Sequence, residues 1–120
     1  MSTVEFVWFS DGSPSGLPFT MPVQLIRWTP PASQGLYAIT VPDISIKPKP
    51  FRVIYFGETG DFSERGFPRS HHRFNDWVRH AGHEAQLMVS LHPMSGSTSQ
   101  QRRDVERRLI ETYNPVCNAI

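Results

Sequence analysis

Cysteine is almost absent from these 120 residues: a lone Cys117 excludes an internal disulfide and fits a reducing, cytoplasmic setting. Long apolar runs are also missing. None approaches the roughly 18 residues that a membrane span requires, so no membrane partner is expected. The opening Met1-Ser2-Thr3-Val4-Glu5-Phe6 has no basic stretch followed by an apolar one, and a secretory signal is not expected. There is no internal repeat and no low-complexity tract. A chain of this length supports one domain with one modest core. Eleven prolines and eight glycines predict a loop-rich protein.

Lysine is scarce as well, and that is informative. Ten of the twelve cationic residues are arginine, whose planar fork suits bidentate phosphate contacts where lysine offers a point charge. A net charge of +1 predicts no general attraction to polyanions. The arginines are nevertheless grouped. Four fall between Arg65 and Arg79, and Arg102, Arg103, Arg107 and Arg108 crowd together near the C-terminus. Such groups either bind phosphate or simply solvate a surface.

The hydrophobic pattern gives strands at residues 4–8, 35–41, 52–57 and 85–91. Between residues 35 and 41, Leu36, Ala38 and Thr40 share one face and Tyr37, Ile39 and Val41 the other. Residues 42–50, rich in proline and lysine, form the long loop of a hairpin. Asp61 or Ser63 is a candidate cap for a short helix stopped by Gly66 and Pro68. Residues 74–80 predict a helical piece with Phe74, Trp77 and Val78 on one side. Thr98 or Ser99 caps the longest helix, which runs to about Tyr113 and ends at Asn114-Pro115. The fold class predicted is mixed α/β, with a small central three-stranded antiparallel sheet flanked by helices. Residues 35–120 form its core. Residues 1–34 are read as an extension that adds an edge strand or a substrate-gripping loop around Trp28.

Three pieces carry chemistry: Gly35-Leu36-Tyr37 opening one strand, Tyr55-Phe56-Gly57 in the next, and Glu106 on the long helix. Arg65 stands ten residues beyond Tyr55, and Asn118 closes Pro115-Val116-Cys117-Asn118. Leu109, Ile110 and Tyr113 follow Glu106 at i+3, i+4 and i+7, which puts the carboxylate on or beside an apolar face. An inward carboxylate is costly unless a cation or hydrogen bonds compensate it. Taken singly, Tyr37 and Tyr55 read as core aromatics and Arg65 as a surface arginine.

Together and in this order the five elements resemble the GIY-YIG nuclease superfamily, over about residues 35 to 118. The family pattern is Gly-Ile-Tyr, Tyr-Ile-Gly, an arginine about ten residues on, a helical glutamate followed by Leu-Ile, and a Pro-x-x-Asn ending. The resemblance implies a metal-dependent endonuclease acting on DNA, and a single domain of this size favours single-stranded or structured DNA over a long duplex recognition site. Glu106 would hold one Mg²⁺ or Mn²⁺, and Tyr37 would orient the attacking water and take its proton. Tyr55 would position a phosphate oxygen, and Arg65 would stabilise charge in the transition state. Asn118 would brace the site, while Gly35 and Gly57 shape its strands. Many members carry a histidine one turn after the arginine; here that position is Arg69, and His71 or His72 takes the histidine's place. Arg69, Arg73, Arg79, Arg102 and Arg103 are the candidate phosphate contacts. His80, His83, His92 and Cys117 form no zinc-binding pattern, and Gly82 spoils a helical His80/His83 pair. A non-catalytic nucleic-acid-binding module of the same fold, and an RNA-directed nuclease or toxin, are the alternatives.

Overall fold

Asp11 turns the chain back between its first two strands by accepting the Ser13 N–H at 3.0 Å. Those strands, β1 (Phe6–Phe9) and β2 (Leu17–Thr20), pair antiparallel as a sheet of two. They belong to a computed structural model that describes residues 6–46 and 51–119. Val4 and Glu5 of the first strand expectation lie outside the described residues, as does the 47–50 part of the proline- and lysine-rich connection.

The second sheet has four antiparallel strands. In chain order they are β3 (Val23–Gln24), β4 (Gly35–Pro42), β5 (Phe51–Thr59) and β6 (Met88–Pro93), and their spatial order is β3-β6-β4-β5. The expected three-stranded sheet is corrected here. The added strand is the pair Val23 and Gln24, too short to show a period in the sequence, which lies against Val89 and Met88. The third strand also begins later than expected, because residues 84–86 form a 3₁₀ turn instead.

Strand β4 lies between β5 and β6 and is buried from Gly35 through Val41, because the sheet is covered on both faces. On one face Tyr37, Ile39, Val41, Ile54 and Val89 pack with Trp77 and Phe62. On the other, Leu36, Ala38 and Phe56 pack with Phe9, Phe19 and Leu109. Residues before 35 thus fill a core face. Phe9 meets Phe19, Phe56 and Tyr113 edge-on at 5.0, 5.3 and 5.5 Å between ring centres.

Helix α1 (Phe74–Ala81) buries Trp77 and stops at Gly82, whose φ of 87° suits only glycine well. Helix α2 (Ser99–Tyr113) begins with a capping box: the Thr98 hydroxyl accepts the Gln101 N–H, and the Gln101 side chain accepts the Thr98 N–H. The short helix expected near Asp61 does not form. The Asp61 carboxylate accepts the N–H and hydroxyl of Ser63 at 2.9 and 2.6 Å, which satisfies the backbone locally, and residues 61–73 run as successive turns. No helix among the described residues is long and apolar enough to cross a membrane.

Candidate active site

The site is built on the neighbouring strands β4 and β5. Tyr37 stands opposite Gly57 and Ile39 opposite Tyr55, so both tyrosines emerge on one face. An extra residue in β5, Ile54, breaks the register between Ile39 and Thr40. Ile54 and Tyr55 therefore both turn to the face carrying Trp77, while Val53 and Phe56 turn to the α2 face. The two phenol rings lie 6.1 Å apart and 30° from parallel.

Gly57 leaves room for Tyr37. A Cβ there would overlap the phenol ring at its Cζ and hydroxyl. The Tyr37 side chain is thereby laid across β5, toward the open edge of the sheet.

That edge would present unpaired backbone groups, and the C-terminal segment covers it. Asn118 donates to the carbonyl of Phe56 and accepts its N–H, both at 2.9 Å, and the Cys117 N–H reaches the carbonyl of Ile54 at 2.9 Å. Two residues along, the backbone of Glu58 faces the Glu106 carboxylate closely enough to favour its charged form. Glu106 thus arrives at the edge of β5 from helix α2, on the side where Tyr37 points.

The electrostatics follow from this burial. Desolvation first, and then the neighbouring charge of Glu58, push Glu106 up to about 7. The charge of Arg103 and the Glu58 backbone oppose the rise. Tyr37 is raised far above the ordinary phenol range by burial, then by Tyr55, Glu106 and Glu58. Tyr55 is pushed up to about 12, by burial and then by Glu106, with Arg73 opposing. Both phenols stay protonated at neutral pH in the protein alone.

His71 and His72 part company in the structure. His71 Nε2 lies 3.4 Å from the Tyr55 hydroxyl, and its Nδ1 accepts the Arg73 N–H at 3.0 Å. Burial, with His72 and Arg73 nearby, lowers His71 to about 4, so the ring is neutral. With Nδ1 accepting, the one ring hydrogen sits on Nε2 and points at Tyr55. His72 is exposed and stacks on His71 at 4.5 Å.

The arginines separate too. Arg65 is exposed in the 61–73 turns and lies outside the contacts that join Tyr37, Tyr55, His71 and Glu106. The cation whose charge reaches Tyr55 and His71 is Arg73. Arg73 also lies 3.6 Å from Asp76, which Arg79 pairs with from the other side, and Arg69 pairs with Glu84. Arg102, expected as a phosphate contact, is turned inward. It is 6% exposed, with Nε on Glu58 at 2.9 Å and Nη1 on the Ser97 carbonyl and hydroxyl at 2.9 and 3.1 Å. Arg103 remains exposed, 3.8 Å from the same Glu58 carboxylate.

One participant escaped the sequence reading. Glu58 directly follows Gly57 and sits among Glu106, Arg102 and Arg103. Its only signal was its place next to the Tyr-Phe-Gly motif. Trp28 meets Phe67 at 6.0 Å, and Phe67 meets Tyr37 at 5.1 Å, so a residue before position 35 does join the wall of the site. Of the suspected zinc residues, His92 hydrogen-bonds the Pro18 carbonyl and Cys117 is buried; no group of three or more potential ligands gathers among the described residues. Comparison of the chain with protein-family models, with curated proteins and with solved structures finds no match in any of the three.

Proposed function

We propose that the protein is a metal-dependent endonuclease that hydrolyses phosphodiester bonds in DNA. The observation that carries this reading is the gathering, near the edge of β5, of a half-buried carboxylate, Glu106, with the buried phenol of Tyr37 and the half-buried phenol of Tyr55. A carboxylate raised to about 7 beside a second carboxylate, Glu58, is a place where a cation relieves an electrostatic cost.

The donor chemistry suits a hard divalent ion. Mg²⁺ commonly binds through one or two carboxylates and completes its shell with water and phosphate oxygen, so a larger cage of protein ligands is not required. Glu106 would hold Mg²⁺ or Mn²⁺, with Glu58 adding negative charge beside it. The ion would supply charge neutralisation at the scissile phosphate and at the departing oxygen.

The chain's own residues then divide the work. Tyr37 orients the attacking water through its hydroxyl; its raised pKa makes it a base only where a cation lies close. His71 directs its Nε2–H at the Tyr55 oxygen, which leaves the Tyr55 O–H to meet a phosphate oxygen. Arg73 contributes positive charge to the same phosphate, and Arg65 approaches it from the solvent side. Asn118 holds the edge of β5 in register beneath them.

The outward position of Arg65 favours a second reading, a non-catalytic nucleic-acid-binding module. Wild type and Glu106→Ala, incubated with end-labelled single-stranded DNA, duplex DNA, branched DNA and RNA in Mg²⁺, Mn²⁺ or EDTA, separate the two. Metal-dependent cutting by wild type alone is expected. Binding without cutting by either protein gives the binding module.

A further inference from the structure

Three planar rings are stacked beside the site. Trp77 is fully buried; His71 lies over it at 4.7 Å and 30°, and His72 lies over His71 at 4.5 Å and 19°. Two near-parallel rings this close to a third occupy its opposite faces, so the three form a column. Its buried end is anchored in the core through Trp77, which meets Tyr37 at 6.5 Å and Tyr55 at 5.2 Å. Its middle ring is fixed at both nitrogens, by the Arg73 N–H and by Tyr55. Its outer ring, His72, is exposed.

The column therefore ends in an aromatic face turned to water, held at a fixed height by the rings beneath it. An exposed aromatic on a free side chain would lose entropy on stacking; this one already rests on the His71 ring. It also lies one ring away from the Tyr55 hydroxyl that is assigned to a phosphate oxygen. Arg73, the next residue, brings positive charge to the column at His71.

We infer that the outer face of His72 is the stacking platform for an unpaired nucleobase, so that the strand bound here is single-stranded at the nucleotide beside the cut. This rests on the nuclease reading for the location of the phosphate. A base inside a duplex has both faces covered by its neighbours and has none to offer. His72 is then a specificity residue that selects open strand over duplex.

The probe is an oligothymidylate of ten nucleotides carrying one 2-aminopurine, with a blunt duplex of matching length as the control. The full chain is titrated in EDTA, where no cutting occurs. Wild type is expected to bind the single strand and quench the 2-aminopurine. His72→Ala should weaken single-strand binding roughly five- to a hundredfold and abolish the quenching. His72→Phe should restore both, because a phenyl ring stacks without any proton chemistry. Duplex binding should be the same in all three proteins. The inference is overturned if wild type does not bind the strand, if His72→Ala binds it as tightly as wild type, or if His72→Phe fails to restore it. Strand binding that depends on His72, without cutting in any metal, would remove the nuclease and keep the platform. Cutting with binding indifferent to His72 would do the reverse.

Discussion

Tyr37 lies across Gly57: the two residues face each other on adjacent strands, and a Cβ at position 57 would overlap the phenol ring. Tyr37 is 2% exposed and packed among core residues, so its ring has nowhere to go. Gly57→Ala should therefore destabilise the protein by about 1–3 kcal/mol, as other overpacked cores do. It should also abolish cutting at temperatures where the variant is still folded. Thermal melts and cleavage rates measured side by side check this. An alanine variant with wild-type melting and wild-type activity would show that the ring does not depend on the glycine.

His71 and Tyr55 are joined, with the histidine's Nε2–H directed at the tyrosine oxygen. Tyr55→Phe and His71→Ala should each slow cutting about a hundredfold. The double variant should be scarcely slower than either single one, because groups acting as a unit are strongly non-additive. Single-turnover rates of the four proteins give the answer. Additive losses would mean that His71 works independently, as an acid or base of its own.

Arg102 and Arg103 are neighbours in sequence with opposite roles. Removing Arg102 strands the largely buried Glu58 carboxylate, and Arg102→Ala should cost about 3 kcal/mol of stability. Arg103→Ala removes an exposed partner and should cost at most about 1 kcal/mol. Only the Arg103 variant should retain the fold while binding nucleic acid less tightly. Denaturant melts and salt-dependent binding isotherms distinguish the two.

Glu106 makes stability depend on pH in a direction opposite to that of a paired carboxylate. Its folded pKa of about 7 exceeds the ordinary 4.5, so the folded protein binds the proton more tightly than the unfolded chain. Stability in EDTA should fall as pH rises from 4.5 to 7 and level off above, by on the order of 1 kcal/mol once water screening is counted. His71, lowered from 6.5 to about 4, works the other way: its contribution is full above 6.5 and is lost as pH falls toward 4. The difference between wild type and Glu106→Gln isolates the carboxylate. Mg²⁺ should raise the melting temperature of wild type near pH 8 and leave the glutamine variant unmoved. A pH-independent difference, or equal Mg²⁺ effects on both, contradicts the placement of Glu106.

The central strands and both helices were legible because their signals are local. Residues 35–41 and 52–57 carry strand composition, and Thr98 with Gln101 announces the start of α2 three residues apart. The order Tyr37, Tyr55, Glu106, Asn118 was likewise readable as a pattern. What was hidden depends on contacts between distant segments. Val23 and Gln24 are a strand only because Val89 and Met88 lie beside them. Arg102 looks solvated until Glu58, 44 residues earlier, is brought against it. His71 and His72 are indistinguishable in sequence, and only the fold puts one under Tyr55 and the other in solvent. The helix expected after Asp61 fails for a local reason that was in view: Ser63 offered the carboxylate a tighter turn.

The most direct measurement is a single-turnover cleavage assay of wild type against Glu106→Gln in Mg²⁺, on a DNA strand with a labelled end. Glutamine keeps the size of the side chain and one accepting oxygen, and removes the charge that would hold the ion. Wild type should cut, EDTA should stop it, and the variant should be at least about a thousandfold slower while melting no lower than wild type. A Glu106→Gln protein that cuts as fast as wild type, or a wild type that cuts equally well in EDTA, would contradict the account.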